Sequence, residues 1–209
     1  MKASRIILSA AALLCLASAA NAQIKNSKHD FSTYAWSGGE ICKPCHTPHF
    51  ANHEAGALWN HALTTATYTM FEGGTGTAAA DFDYTSRLCL SCHDGTVALD
   101  SFGGTTGSNF IPGGAKIGTD LRDDHPVGSE AVYPTTTVTY MNPQNTSHQI
   151  VSTAGTLRLY QWFDASSVEK YVVGCRTCHN PHNKGNYGNG AMLNFANTAS
   201  QLCLTCHVK

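Results

Sequence analysis

The chain repeats one five-residue pattern four times, as Cys42-Lys-Pro-Cys45-His46, Cys89-Leu-Ser-Cys92-His93, Cys175-Arg-Thr-Cys178-His179 and Cys203-Leu-Thr-Cys206-His207 (motifs 1 to 4). Each copy reads C-x-x-C-H, the attachment signature of c-type haem. Two thiols at this spacing can form thioether bonds to the two vinyl groups of one porphyrin, and the adjacent imidazole then reaches the iron. We therefore expect four covalent haem c groups, held by the eight motif cysteines. The expected proximal iron ligands are His46, His93, His179 and His207.

Other uses of paired cysteines fit this pattern less well. The motifs take up eight of the nine cysteines, and the ninth, Cys15, lies in the N-terminal segment. A zinc site would pair two C-x-x-C units about 15–20 residues apart, whereas the motif starts here are separated by 47, 86 and 28 residues. Neither disulfides nor redox-active dithiols need a histidine after every second cysteine. Haem attachment is therefore the favoured interpretation.

The first 22 residues are typical of a secretory signal peptide. Lys2 and Arg5 give a positive start, residues 6–20 are apolar or small, and Ala20-Asn21-Ala22 fits the A-x-A cleavage pattern. An uncleaved membrane anchor is the alternative, but the apolar run is shorter than a membrane-spanning helix needs. We therefore expect an exported protein whose mature form is residues 23–209. The cell surface or exterior is favoured over the periplasm as its location.

Composition and charge exclude several classes of protein. The chain has 13 Lys and Arg, 14 Asp and Glu and no polybasic run, which argues against a nucleic-acid scaffold. Removal of Lys2 and Arg5 leaves 11 basic residues against 14 acidic ones, and haem propionates would add negative charge. Such a protein would prefer cationic partners or metal ions to anionic membrane surfaces. Hydrophobic residues make up 42% of the chain, so its composition is not that of a disordered protein.

Two extended forms of the motif alternate along the chain. Motifs 1 and 3 continue to His49 and His182 as Cys-His-x-Pro-His, whereas motifs 2 and 4 share Leu-Cys-Leu-x-Cys-His. The order is A-B-A-B over residues 42–93 and 175–207, which indicates two dihaem units in a single tetrahaem domain. The expected fold is mostly irregular, with short helices and a small β-hairpin, wrapped around a chain of haems.

Local patterns place the regular elements of this fold. Residues 51–67 carry apolar side chains at helical spacing, which predicts a helix. Aromatic and β-branched residues concentrate at 132–140 and 156–163, which predicts the two strands of the hairpin.

Histidines outside the motifs can supply the second axial ligand of each iron. There are seven of them: His29, His49, His53, His61, His125, His148 and His182. His49 and His182 are the strongest candidates, because each follows a proximal histidine by three positions with a proline between. Neither can easily reach the far face of its own haem, so we expect each to bind the iron of a neighbouring haem. Bis-histidine ligation is expected rather than ligation by a methionine, Met70, Met141 or Met192.

The remaining distal positions are less sharply defined. His125 lies in Asp-Asp-His-Pro-Val, within a span that has no proximal histidine, and His148 and His61 compete with it. His29 lies near the mature N-terminus, and His53, four positions after His49, is expected either to be solvated or to contact a ligand without binding iron.

The order of these motifs resembles that of the multihaem c-type cytochromes of metal-reducing bacteria. It is similar in particular to the polymerising tetrahaem type that forms extracellular nanowires (the OmcE type). The resemblance runs from Lys28-His29-Asp30, through Leu58-Trp59-Asn60-His61 and Asp124-His125-Pro126-Val127, to Leu202-Cys203-Leu204-Thr205-Cys206-His207. It implies that the distal ligands are His29, His49, His125 and His182.

The same resemblance implies that an N-terminal histidine binds a haem of the adjacent subunit, and His29 is the residue that matches. His29 lies 13 residues before Cys42, a tether long enough to leave the subunit body. The alternative is that it folds back onto a haem of its own chain. A metal–ligand bond between copies would make assembly head-to-tail and open-ended.

Electron transfer without substrate turnover is the expected function, in a subunit of an extracellular cytochrome filament for anaerobic respiration. The alternatives are a monomeric periplasmic carrier and a multihaem reductase with one open iron, which the spare histidines disfavour. The expected partners are further copies of the chain, redox partner cytochromes and extracellular metal oxides or other acceptors. Neither nucleic acid nor membrane insertion is expected.

The intact mass of the mature protein should exceed the polypeptide mass by four haem groups, because each motif supplies two thioether bonds to one porphyrin. Replacing Cys89 and Cys92 with Ser should leave three haem groups. Mass spectrometry of protein made with complete haem-attachment machinery measures both. A gain of three or fewer groups in the unaltered protein would show that at least one motif is unused.

Overall fold

Regular secondary structure is sparse in this chain. The computed structural model describes residues 23–188 and 190–208, so the signal peptide expected over residues 1–22 lies outside the described residues. Six short strands form three separate antiparallel hairpins. These are β1 (Thr67–Thr69) with β2 (Thr75–Thr77), β3 (Gln149–Val151) with β4 (Thr156–Arg158), and β5 (Tyr160–Phe163) with β6 (Glu169–Val172).

The predicted hairpin between residues 132–140 and 156–163 is only partly correct. Residues 156–163 do contain β4 and β5, but these strands pair with β3 and β6, their neighbours in the chain. Within 132–140, Val132 makes only an isolated bridge to Val172. Neighbouring segments pair because closing a short loop costs less chain entropy than closing a long one.

The described residues contain four short α-helices. They are α1 (Ala78–Asp81), α2 (Tyr84–His93), α3 (Cys175–Cys178) and α4 (Gln201–Cys206). Motifs 2, 3 and 4 lie on α2, α3 and α4, whereas motif 1 lies on a non-helical turn. The B-type motifs therefore end the two longer of these helices, and the A-type motifs occupy single turns.

The helix predicted over residues 51–67 is wrong. Three consecutive residues there have positive φ angles: Gly56 (44°), Ala57 (45°) and Leu58 (53°). Left-handed residues cannot continue a right-handed helix. The segment instead turns back onto motif 1, where Trp59 forms a bridge with His46. The apolar spacing therefore reflects packing against the motif.

Helix α2 begins at a buried cap that also contacts motif 3. The side chain of Asp83, 1% exposed, accepts hydrogen bonds from the backbone N–H groups of Thr85 and Ser86 at 3.0 and 3.1 Å. The hydroxyl of Ser86 donates to Asp83 and accepts from the backbone N–H of Cys175 at 2.9 Å. This cap therefore joins the helix of motif 2 to the first cysteine of motif 3.

Two small hydrophobic clusters take the place of one large core. The first contains Tyr68, Met70, Ala78, Phe82, Leu90 and Leu121. The second contains Tyr133, Ile150, Leu157, Leu159, Val173 and Phe195. The expected loop-rich fold with short helices is confirmed, and the described residues contain three small hairpins where one was expected. Within the described ranges, no helix is both long and apolar enough to cross a membrane.

Replacing Asp83 with Ala should lower the free energy of unfolding by about 2 kcal/mol, the upper end for loss of an N-cap, because the cap is buried and shared with motif 3. Denaturant unfolding followed by circular dichroism measures this change. The exposed Glu40 gives a control, since Glu40→Ala should change the free energy by less than about 0.5 kcal/mol. Equal effects of the two substitutions would contradict a structural role for the cap.

Candidate haem sites

Three motif histidines share an arrangement that leaves one ring nitrogen free. Their Nδ1 atoms lie 2.8, 2.8 and 2.7 Å from carbonyl oxygens, in the pairs His46 with Ala57, His93 with Ala115, and His179 with Ala191. A carbonyl oxygen only accepts, so each Nδ1 donates its proton and each neutral ring keeps an unprotonated Nε2. Metal-bound histidines typically use their second ring nitrogen in this way. The arrangement therefore suits iron ligation through Nε2.

Three pairs of imidazoles lie close together, with one motif histidine in each pair and angles of 34° to 62° between the two ring planes. The ring centres are 6.2 Å apart for His46 and His182, 6.0 Å for His93 and His29, and 6.3 Å for His207 and His125. Metal–imidazole bonds are about 2 Å long, so two imidazoles on opposite sides of one metal ion have ring centres roughly 6 Å apart. Each of the three pairs thus has room for one iron between its rings.

The two histidines of the A-type extensions are placed differently. His182 faces His46 of motif 1 rather than His179 of its own motif, which fits the expectation that it serves a neighbouring haem. The side chain of His49 is exposed. In the described part of the chain it makes no ring contact with another imidazole, and no imidazole faces His179 across a comparable gap. His49 and His179 are therefore the two members of the expected ligand set without a counterpart.

His29 lies against its own chain. Its Nδ1 is 3.2 Å from the carbonyl oxygen of Pro181, and its ring stacks on Phe31 with centres 6.1 Å apart. Burial lowers the pKa of His29, and the neighbouring His93 lowers it further, which favours the neutral ring that binds metals. This placement corresponds to the alternative in which His29 serves its own chain. The expectation that His29 reaches a neighbouring copy stays a prediction.

His61 has no ring nitrogen available for a metal. The residue is buried, with Nδ1 2.8 Å from the carbonyl oxygen of Ala62 and Nε2 2.9 Å from that of Ala98. Both nitrogens therefore face acceptors, and His61 does not lie on the helix that was expected over residues 51–67.

The contacts of His148 and His125 also differ. The ring of His148 lies flat on Tyr171, with centres 3.3 Å apart, and its Nδ1 is 3.0 Å from the side-chain oxygen of Gln144. The Nδ1 of His125 faces the carbonyl oxygen of Pro126 at 2.8 Å, so its Nε2 is free. Of the three competitors, the geometry favours His125. His53 is exposed, as expected for a solvated residue.

None of the eight motif cysteines forms a disulfide within the described residues, so each remains available for a thioether bond. Burial raises the pKa of Cys45 and of Cys178 to about 11, so these thiols are neutral at ordinary pH. Cysteines of successive motifs lie close enough to affect thiol pKa values. Burial and the neighbouring Cys45 raise the pKa of Cys92, Cys175 raises that of Cys89, and burial and Cys206 raise that of Cys178. The four attachment sites therefore form one connected series from motif 1 to motif 4.

Two buried donors flank the motifs without an acceptor. Trp59 is 8% exposed, its ring meets that of His46 edge-on at 6.2 Å, and its Nε1 has no partner among the described residues. The Nε of Arg87, on α2, is likewise buried without a partner in the described part of the chain. Unpaired buried donors are costly. Haem propionates would supply acceptors, so the residues around the motifs fit the cofactor that the cysteines indicate.

Asparagines that contact the motifs escaped the sequence interpretation. The backbone and side-chain amides of Asn60, Asn142 and Asn194 donate to carbonyl oxygens of motifs 1, 4 and 3. The sequence did contain a pattern that could have identified two of these asparagines. Ala57-Leu58-Trp59-Asn60 is repeated in similar form as Ala191-Met192-Leu193-Asn194. These two segments end 15 and 16 residues after the second cysteines of motifs 1 and 3.

Comparison with known protein families gives a match at the C-terminal end of the described sequence motifs. The family model described as the doubled CXXCH motif matches residues 169–209, which contain motifs 3 and 4. No curated protein matches the chain. The doubled motif and the two further copies upstream support a multihaem c-type cytochrome with covalently bound haem c.

Proposed function

We propose that the protein is a tetrahaem electron carrier in which each iron is bound by two histidines. The observation that carries this proposal is the three close imidazole pairs, each of which joins a motif histidine to a histidine from another part of the chain. Two imidazoles fill both axial positions of an iron and leave no position for a substrate. Such sites pass single electrons, and they have lower reduction potentials than haems with a methionine ligand.

The neighbouring cysteines support a continuous path for these electrons. Electron tunnelling weakens steeply with distance, so a carrier needs its haem edges close together. The thioether edge of each haem is fixed by its two cysteines, and cysteines of successive motifs approach one another at all three steps of the series. The haem of each motif would then have a neighbour to exchange electrons with.

Self-assembly extends this proposal, and His49 is the residue that we assign to it. The iron bound by His179 has no second histidine in the described part of its own chain, and the exposed His49 is the remaining member of the expected ligand set. Phe50, which follows His49, is 104% exposed, an apolar surface suited to cover by another copy. If His49 binds the His179 iron of the next subunit, assembly is head-to-tail and its rotation need not close, which gives an open filament.

The setting of this activity follows from the resemblance and the charge of the chain. An exported filament of such haems would carry electrons from redox partner cytochromes to acceptors outside the cell, such as metal oxides, during anaerobic respiration. Acidic residues and haem propionates outnumber the basic residues, which supports attraction to metal ions.

A second candidate function rests on His179, the motif histidine that has no second imidazole opposite it in the described part of the chain. If no histidine reaches the iron of motif 3, that iron keeps an open position and can bind a small ligand, as a multihaem reductase requires. The two functions differ in one measurable property, which is the coordination of that iron in the assembled protein.

Replacing His29 or His182 with Ala should convert one of the four haems from low-spin to high-spin, because each substitution removes one axial nitrogen. Electron paramagnetic resonance of the ferric protein measures this change, and intact mass should still show four haem groups. The exposed His53 provides the control, since His53→Ala should leave the spectrum unchanged. A fully low-spin spectrum in either ligand variant would remove that residue from the ligand set.

Replacing His49 with Ala should abolish filaments and leave one haem open, because the substitution removes the ligand supplied to the next copy. Negative-stain microscopy and carbon monoxide binding by the reduced protein measure the two effects, with His53→Ala again as the control. Normal filaments from His49→Ala would reject the assignment, and loss of filaments from His29→Ala alone would transfer the crossing role to His29. Rapid carbon monoxide binding by unaltered filaments would favour the reductase.

A further inference from the structure

Two four-residue segments clasp the A-type motifs in the same way. The first, Ala57–Asn60, packs against motif 1, and the second, Ala191–Asn194, packs against motif 3; we call them clasps. Their second residues, Leu58 and Met192, have φ angles of 53° and 54°. A bulky side chain rarely adopts this left-handed conformation, and such strain persists only where the surrounding contacts fix the backbone.

In each clasp, the first three residues bind the proximal histidine and its neighbour. In the first clasp, the carbonyl oxygen of Ala57 accepts from Nδ1 of His46 at 2.8 Å, and that of Leu58 accepts from the N–H of Thr47 at 2.8 Å. Trp59 then forms a backbone bridge with His46.

The second clasp repeats these three contacts around motif 3. The carbonyl oxygen of Ala191 accepts from Nδ1 of His179 at 2.7 Å, and that of Met192 accepts from the N–H of Asn180 at 2.6 Å. Leu193 forms the bridge with His179.

The fourth residue of each clasp is an asparagine that holds the C-x-x-C turn. The backbone N–H of Asn60 donates to the carbonyl oxygen of Cys45 at 2.9 Å, and its side-chain amide donates to that of Lys43 at 2.6 Å. In the same way, Asn194 donates through its backbone to Cys178 at 2.8 Å and through its side chain to Arg176 at 2.9 Å. Carbonyls at the end of a helical turn lack partners within the turn, and these amides supply them.

Motif 4 is held by an asparagine that reaches it from the opposite direction in the chain. Asn142 precedes motif 4, yet its backbone N–H donates to the carbonyl oxygen of Cys206 at 2.8 Å. Its side-chain amide donates to the carbonyl oxygens of Leu204 and Thr205 at 3.1 and 3.0 Å. The same contacts therefore arise without the sequence repeat, which indicates that the turn itself requires them.

No asparagine among the described residues holds motif 2 in this way. Helix α2 continues its hydrogen bonding past the motif, because the backbone N–H of Asp94 donates to Leu90 and that of Gly95 donates to Cys92, at 3.0 and 3.2 Å. The carbonyls of Leu90 and Cys92 are thus satisfied by the chain that follows the motif. The haem site of motif 2 can therefore serve as an internal control when the asparagines at the other motifs are substituted.

We propose that Asn60 and Asn194 are positioning residues whose side-chain amides fix the direction of the proximal imidazoles of motifs 1 and 3 toward iron. The amide holds the cysteine-bearing turn against the clasp, and the alanine carbonyl of the same clasp holds Nδ1 of the imidazole. A carbonyl acceptor on Nδ1 also makes Nε2 a stronger ligand. This proposal rests on the proposed function, because it assumes that His46 and His179 bind haem iron.

The test substitutes Asp for each asparagine, which keeps the shape of the side chain but replaces the amide donor with an oxygen facing a carbonyl oxygen. In ferric holoprotein carrying Asn194→Asp, the low-spin resonance of one haem should shift while the other three stay in place. Asn60→Asp should shift the resonance of a different haem. Removing motif 2 with Cys89→Ser and Cys92→Ser identifies its haem, whose resonance neither variant should move.

Asn197→Asp is the matched control. The side-chain oxygen of Asn197 accepts from the N–H of Leu202 at 3.0 Å, and aspartate keeps that acceptor, so all four resonances should stay in place. Unchanged resonances in both clasp variants, or equal shifts of all four haems, would overturn the proposal. If Asn194→Asp is recovered with fewer than four haems by mass, Asn60→Asp gives the same comparison at motif 1. Unaltered protein without covalent haem would refute the proposed function as well, whereas four haems with unchanged spectra refute only the clasp.

Discussion

A hydrogen bond from one imidazole nitrogen to a backbone carbonyl is the interaction around which this structure is arranged. It decides which ring nitrogen stays free, and it fixes the direction in which that nitrogen points. His46, His93 and His179 each receive this contact from an alanine carbonyl 11 to 22 residues later in the chain. Loops can bring carbonyls to these positions more freely than helices or sheets, whose carbonyls are already paired. The scarcity of regular structure is therefore a consequence of how the motif histidines are held.

The packing follows the motifs rather than a central sheet or bundle. Two small hydrophobic clusters lie among them, and a buried polar contact joins motif 2 to motif 3. The cap at Asp83 and Ser86 joins motif 2 to Cys175 of motif 3. Gly174 permits this close approach, because a Cβ atom at this position would collide with the Asp83 carboxylate. Four bound haems would add large apolar surfaces to this limited core, and we expect the chain without them to be only marginally stable.

Sequence reasoning was most successful where the chemistry is local. The spacing within each motif, the A-B-A-B order and the loop-rich fold class depend on residues that are adjacent in the chain. It was less successful for elements whose form depends on distant contacts. Residues 51–67 have helical periodicity, but the clasp on motif 1 forces left-handed backbone at Leu58. Residues 132–140 have strand-like composition, but the strands that they were expected to pair with have nearer partners.

The sequence by itself determined the attachment chemistry, because thioether spacing and an adjacent imidazole are properties of five consecutive residues. It also supplied a surplus of histidines, of which the spacing singled out only His49 and His182 as the strongest candidate ligands. Only the tertiary structure decided that His182 faces His46, that His29 faces His93 within the same chain, and that both nitrogens of His61 are occupied. The physical reason is that ligation to opposite sides of one iron joins residues far apart in the chain. Their meeting depends on how the intervening loops fold.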